Sequence, residues 1–384
     1  MNPISSIHSL ALPLPAQRKG FSLIELMVAM TIGLLLLAGL FYIYLNASQS
    51  SRFQGAIALM QSNARYAFEL MGVDIRMMGF TGSQDASPSN VVAISLTSHL
   101  CPLIDIFGNK NCTDGAGPLI GYENTNPPNV CTTANTTACY MTNTDSLTVV
   151  RVDTMNKYAI SAHTAGTSFT LSAWPASNAP AAGEIFVAAD YTHAAIFQVR
   201  AVGGSSTSTV SYGGSDTVSP GNSGTDLGTF GGGTNAVGLY RLSGVSYYIG
   251  RNPVGEPALY RDKLGHGDVG GVPTANSAVE ELIQGIEDME ITYGVDTSID
   301  TASRSPLPGD GSVDGYWTAT QVNTGTGIQS AICNASTSAH WKCVLSIRIT
   351  LTLVSGQNEK VGTTGDRLLR KTFTNTIAIR NRLP

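Results

Sequence analysis

The longest unbroken apolar stretch of the chain runs from Phe21 to Leu45, and Glu25 is its only charged residue. A helix needs about 20 apolar residues to cross a bilayer, so this stretch is long enough to span one. Beyond Leu45 the apolar positions thin to Phe53, Ile57, Met60, Ala64, Ala67, Phe68, Met71, Ile75 and Met78, mostly three or four residues apart. That spacing lines one face of a helix, with Arg52, Gln61, Arg65, Glu69 and Arg76 elsewhere on it. Gly79 is the expected terminator, with Gly82 and Pro88 close behind. The pattern therefore predicts one helix over 21–78, about 85 Å long at 1.5 Å per residue.

After residue 80 the period changes. Residues 81–143 are rich in Asn, Thr, Gly and Pro and read as loops. Short β-branched and aromatic runs follow at 147–152, 168–171, 185–187 and 195–199, separated by turn residues as strands are. A Gly/Ser/Thr-dominated stretch, 202–235, predicts a loop or irregular hairpin tips. Residues 237–249 then read as a strand pairing with 258–261 as a hairpin. Glu280–Gly285 is expected as a short helical turn, leading into alternating strands at 286–293, 343–353 and 370–380. The fold class is α+β: one long N-terminal helix, transmembrane then amphipathic, packed on an antiparallel β-rich head.

Composition narrows the compartment and the chemistry. Only 13% of the 384 residues are charged, glycine numbers 41, and the net charge is −5. No block of Lys or Arg lies beyond Arg18-Lys19, so nucleic acid is not expected as a ligand, since phosphate binding needs clustered cations. Six cysteines, Cys101, Cys112, Cys131, Cys139, Cys333 and Cys343, all follow the apolar helix. An even number beyond a membrane anchor points to disulfides in an oxidising compartment. Sequence does not fix the pairing, though short loops favour Cys101 with Cys112, Cys131 with Cys139, and Cys333 with Cys343. There is no CxxC and no His at ligand spacing beside a cysteine pair, so no metal site is expected.

Glu25 separates three readings of the apolar segment. A secretory signal would have an apolar core of about 7–15 residues and a small-residue cleavage site, and neither is present. A plain anchor leaves the carboxylate as an unexplained cost of roughly 2.5–3.5 kcal/mol on insertion scales. The third reading is carried by Gly20-Phe21-Ser22-Leu23-Ile24-Glu25-Leu26-Met27-Val28-Ala29-Met30, which resembles the processing site and first helix of type IV pilins and pseudopilins. The resemblance implies cleavage by a prepilin peptidase between Gly20 and Phe21, N-methylation of Phe21, and Glu25 as the assembly carboxylate. The new amine is mostly cationic at neutral pH. Its attraction to a neighbour's Glu25 would be strong in an apolar bundle, where either charge alone is expensive. Arg18 and Lys19 flank the cut as positive-inside topology requires.

The C-terminal runs Leu239-Tyr240-Arg241, Tyr247-Tyr248-Ile249, Leu259-Tyr260-Arg261, Glu281–Met289, Tyr293–Asp296 and Thr376–Arg382 resemble, in this order, PilW-type minor pilins. They are more distantly similar to the minor pseudopilin J of type II secretion. The resemblance covers roughly 15–80 and 236–384; residues 81–235 match nothing comparable. The expected organisation is a prepilin leader over 1–20, a transmembrane and filament-core half-helix over 21–45 and an amphipathic half over 46–79. A disulfide-stapled, Gly/Ser/Thr-rich β insertion follows over 80–235, and the C-terminal β region of the head over 236–384.

No catalytic pattern emerges. The six histidines are scattered, none within HExxH, and no P-loop or dinucleotide fingerprint occurs. Gly221-Asn222-Ser223-Gly224 is one residue short of a GxSxG elbow. Asp310–Gly315 lacks the full ligand series and closing Glu of a calcium loop, and reads as an Asp/Gly turn. Asn135 and Asn334 begin N-x-S/T sequons, which also arise by chance. No cofactor is expected. The resemblance implies a minor pilin held in the inner membrane with its head in the periplasm, and later at a pilus tip. Its partners would be other minor pilins, the major pilin, the prepilin peptidase, the inner-membrane assembly platform and a tip adhesin. A type II pseudopilin and a tip adhesin whose residues 81–235 bind a surface are the alternatives.

Overall fold

A computed structural model describes residues 20, 22–83, 89–93, 117–125, 140–203, 208–214, 218, 221–228, 230, 237–264, 278–297, 310–328, 339–356 and 368–380. The chain divides into two compact units, Met1–Gly55 and Ala56–Pro384. The helix α1, Leu23–Met77, supplies the described structure of the first unit almost entirely. No residue of its most apolar stretch is buried. Leu35 is 74% and Tyr42 69% exposed, which an isolated soluble helix would not tolerate in water.

In the second unit most of the predicted apolar stripe is buried. Met60, Ala64, Ala67, Met71, Ile75 and Met78 are each at most 3% exposed, Ile57 and Phe68 are half-buried, and Ala56 joins the buried face. The helix ends as expected: Gly79 adopts a φ of +70°, where a side chain would be strained, and its N–H bonds to the Val150 carbonyl at 2.9 Å.

The described strands form two sheets. The larger has twelve strands: β1 (Ser89–Asn90), β2 (Leu119–Tyr122), β3 (Ser146–Val152), β4 (Tyr158–Thr164), β5 (Ser168–Leu171), β6 (Ile185–Ala189), β7 (Ala194–Gln198), β8 (Ala201–Val202), β9 (Thr209–Ser211), β10 (Gly238–Arg251), β11 (Pro257–Leu264) and β12 (Ala278–Gln284). Strand β10 joins its parts. Residues 238–241 pair with β6, and Gly238 and Leu239 also with β4. Residues 242–247 then pair with β3, and 244–251 with β11. The smaller sheet has the order β14 (Gly315–Trp317), β13 (Ile286–Val295), β15 (Val344–Val354) and β16 (Arg370–Ala378), all antiparallel.

One core cluster joins the α1 stripe to Leu147 and Val149 of β3, Tyr247 and Ile249 of β10, Met289 and Ile291 of β13, and Ile347 and Ile349 of β15. A second, aromatic cluster holds Phe169, Phe186, Phe197 and Tyr212 with Leu239 at the start of β10. The alternation read at 286–293, 343–353 and 370–380 is thus the inward half of the smaller sheet.

Glu280–Gly285 is not the helical turn expected from its helix-forming residues. Residues 280–284 lie in β12, where Glu280 pairs in register with Arg261 of β11 and bonds its guanidinium at 2.6 Å. Tertiary pairing overrides local propensity here. The chain then turns at Gly285, φ +82°, whose N–H bonds to the Pro257 carbonyl and whose own carbonyl accepts from Val354. Two further elements carry no periodic signal: α2 (Ala319–Thr324) and α3 (Ala339–Lys342). The first has a full capping box, with Thr318 and Gln321 bonding each other's backbone N–H groups, and ends at Gly325, φ +70°.

Candidate functional site

The first candidate is the start of α1. Gly20 is described, and Phe21 lies outside the described residues. Glu25 occupies the first turn, where the helix dipole favours a negative charge. Its Oε2 accepts the Ser22 N–H at 3.2 Å, and Leu26 N–H bonds to the Ser22 carbonyl at 3.1 Å. Glu25 therefore closes its own helix end in the manner of one arm of a capping box. It is exposed, among exposed Leu23, Ile24, Leu26 and Met27. An exposed carboxylate bonded to one backbone N–H retains acceptor capacity for a cation.

The second feature was not anticipated from the apolar pattern. Asp74 sits on the buried stripe of α1, three residues after Met71, and is 4% exposed. Arg151 of β3 bonds its Oδ1 through Nε at 2.8 Å, and Tyr247 of β10 donates its hydroxyl to Oδ2 at 2.5 Å. Burial, and after it the Asp74 charge, hold the Tyr247 phenol far above its ordinary pKa. This is a latch between α1 and the larger sheet. Its sequence signal is an acidic residue at a stripe position, i+3 from Met71.

The remaining candidates that fall on described residues make structural contacts. Cys343 is disulfide-bonded; the other five cysteines lie outside the described residues, as do Asn135 and Asn334. In the Asp/Gly turn, Asp310 accepts from the Ser312 N–H and hydroxyl at 2.8 and 2.6 Å, and Asp314 accepts from Thr297. Asp296 accepts from the Gly311 N–H at 2.7 Å. These carboxylates hold their own loops, and no grouping of three metal-ligating side chains occurs among the described residues. Near the GxSxG-like stretch, Asn222 exchanges two 2.8 Å bonds with the Gln198 backbone, and Ser223 donates to the Val91 carbonyl at 3.0 Å. His163 stacks on Phe169 at 4.3 Å and bonds Tyr212 at 2.8 Å; burial lowers its pKa. His193 bonds the Leu227 carbonyl at 2.6 Å. Both histidines serve packing.

Comparison with known families assigns the two ends of the chain. Residues 15–41 match the prokaryotic N-terminal methylation motif, which fits the exposed apolar helix to a prepilin-type protein. Residues 246–381, from the second half of β10 through β16, match the type IV pilus-assembly protein W family. Both matches on one chain support a type IV pilus-related minor pilin of the PilW type, and the fold is the α+β pilin-like one. That family is a structural pilus component and not a known family of enzymes. Neither the curated proteins nor the solved structures give a match.

Proposed function

We propose that this minor pilin joins the complex that initiates a type IV pilus and remains at its tip, and so supports pilus assembly, attachment and twitching motility. The observation that carries this reading is a methylation-type apolar helix with a single carboxylate, ahead of a head of more than 300 residues. Such a head would crowd a repeating shaft and fits better at an end. In this reading the peptidase cuts between Gly20 and Phe21, and the helix stays with the mature chain.

The apolar face of residues 23–45 then passes from lipid into the bundle of neighbouring subunits, so its exposure is used twice. Glu25 leaves its bond to Ser22 and meets the methylated amine of an adjoining subunit. Neutralising both charges inside an apolar bundle fixes the register between subunits. Other minor pilins, the major pilin, the peptidase and the assembly platform are the partners, in the inner membrane first and at the cell surface afterwards.

Glu25→Val tests the mechanism. The variant should insert and be processed but be absent from sheared pili, while unchanged co-purification would contradict the role given to Glu25. Unaltered surface piliation after removal of the gene would contradict the initiating role.

A further inference from the structure

Strand β16 ends the smaller sheet, and among the described residues no strand pairs with its outer side. Ile379 N–H bonds to the Leu345 carbonyl at one end of the β15–β16 ladder, at 2.9 Å, and Ser355 N–H to the Leu369 carbonyl at the other, at 2.8 Å. The antiparallel alternation between those ends gives the inward bonds to the odd residues of β16. Thr372, Thr374 and Thr376 therefore point their N–H and C=O groups outward, and no other described strand pairs with them.

Other edges of the head are blunted. β12 carries Glu280 and Glu281, and its pairing with β11 is broken by a bulge. β14 is only three residues long. By contrast β16 runs nine residues in unbroken register, with no proline and with charges only at Arg370 and Lys371. A long, flat edge of this kind is a template for another strand.

Beside it lies an open groove of about 780 Å³ between α1 and β16, with Phe68 and Phe373 among its apolar lining. Arg65 and Arg76 stand on its helix side with Glu69 between them in sequence, which leaves one positive charge in excess. Eleven residues apart, they fall on the same helix face about three turns from each other. Both are exposed, and among the described residues neither is in an ion pair.

We propose that this edge and groove take an extended segment of another pilus subunit, added to the smaller sheet as a fifth strand. Main-chain bonds to Thr372, Thr374 and Thr376 supply the attachment, as in other strand-addition complexes. The Arg65 and Arg76 guanidinium groups select carboxylates on the incoming segment. The identity of the partner as a pilus subunit rests on the assembly reading above; the strand addition itself does not.

The test uses the full chain in cells, with the photo-crosslinking residue p-benzoylphenylalanine in place of Thr376. The expected product is a crosslink to a subunit other than this chain, mapped by mass spectrometry to an extended segment bearing Asp or Glu. Thr374→Pro removes one outward N–H without touching the β15 ladder and should reduce the crosslink at least tenfold; Thr374→Val should keep it. Arg65→Glu with Arg76→Glu lies off the ladder and should also weaken it several-fold. That pair decides the matter if Thr374→Pro lowers the amount of folded chain.

No crosslink, a crosslink to lipid or to a second copy, or one unaffected by both sets of substitutions overturns the proposal. Glu25→Val is run in parallel. A crosslink that persists while Glu25→Val assembles normally removes the register role of Glu25 and leaves the strand addition standing. Loss of the crosslink alone removes only the strand addition.

Discussion

Tyr247 and Asp74 are 173 positions apart in sequence, and the Tyr247 hydroxyl donates to the Asp74 carboxylate across 2.5 Å in the buried core. With Arg151 on the other carboxylate oxygen, this bond ties the helix of the N-terminal methylation motif to the strand that begins the pilus-assembly W match. Tyr247→Phe leaves a buried carboxylate oxygen without its donor, and should destabilise the head by about 1–3 kcal/mol. Asp74→Ala strands a largely buried guanidinium as well and should cost more, about 3 kcal/mol or above. Urea unfolding of the full chain in detergent, followed by tryptophan fluorescence, checks the order; equal and negligible effects would show that the latch is not holding the helix.

Alkaline pH should expose the same core. Burial raises the phenols of Tyr212, Tyr247, Tyr248 and Tyr293, and pushes Tyr260, beside Glu281, up to about 12. A group whose folded pKa is raised keeps its proton in the native state after the unfolded chain has lost it. Stability is then fully present below the ordinary tyrosine value of about 10 and falls as pH rises beyond it. Thermal unfolding midpoints should drop steadily above that pH, with a shallower slope for Tyr247→Phe.

Gly121 and Tyr293 form a tighter constraint. A methyl placed on Gly121 of β2 would fall inside the Tyr293 phenol, which is fully buried and edge-on to Trp341 at 4.8 Å. The phenol has nowhere to move, so Gly121→Ala should cost about 1–3 kcal/mol or prevent folding. The Tyr293 hydroxyl finds no hydrogen-bond partner among the described residues. Tyr293→Phe should therefore be neutral or stabilising, opposite in sign to Tyr247→Phe. Both phenols are buried, but only Tyr247 has a hydrogen-bond partner among the described residues.

Arg241 anchors the second cluster. Its guanidinium bonds Glu184 at 2.9 Å and Asn178 at 2.8 Å, and lies 5.5 Å from the Phe186 ring centroid. Glu184 is 6% exposed and also accepts the Ala181 N–H at 3.0 Å, so Arg241→Ala removes the counter-charge of a buried carboxylate and should cost about 3 kcal/mol. Lysine keeps the charge but cannot keep the fork geometry, so Arg241→Lys should recover only part of the loss in the same urea experiment.

What the sequence displayed follows from periodicity. The helix from Leu23 to Met77, its stop at Gly79 and the strands at β3, β5, β10, β13 and β15 rest on apolar spacing, which is local. The error at Glu280–Gly285 has a non-local cause: Glu-Glu-Leu-Ile-Gln favours a helix until Arg261 pairs across from Glu280. The branching of β10 among β3, β4, β6 and β11 is likewise invisible before the chain folds. Asp74 was legible in principle, as a carboxylate on an apolar stripe, but naming Arg151 and Tyr247 as its partners required the fold. Glu25 stood out from the start, and the structure adds that it caps its own helix through Ser22.

The most direct test of the account is the mass of the mature N-terminus. Peptide mass spectrometry of the chain purified from pili or inner membrane should find N-methylated Phe21 as the first residue, with residues 1–20 absent. An N-terminus at any other residue, or an unmethylated chain still beginning at Met1, would contradict the assignment of Gly20, Phe21 and Glu25 on which the assembly mechanism depends.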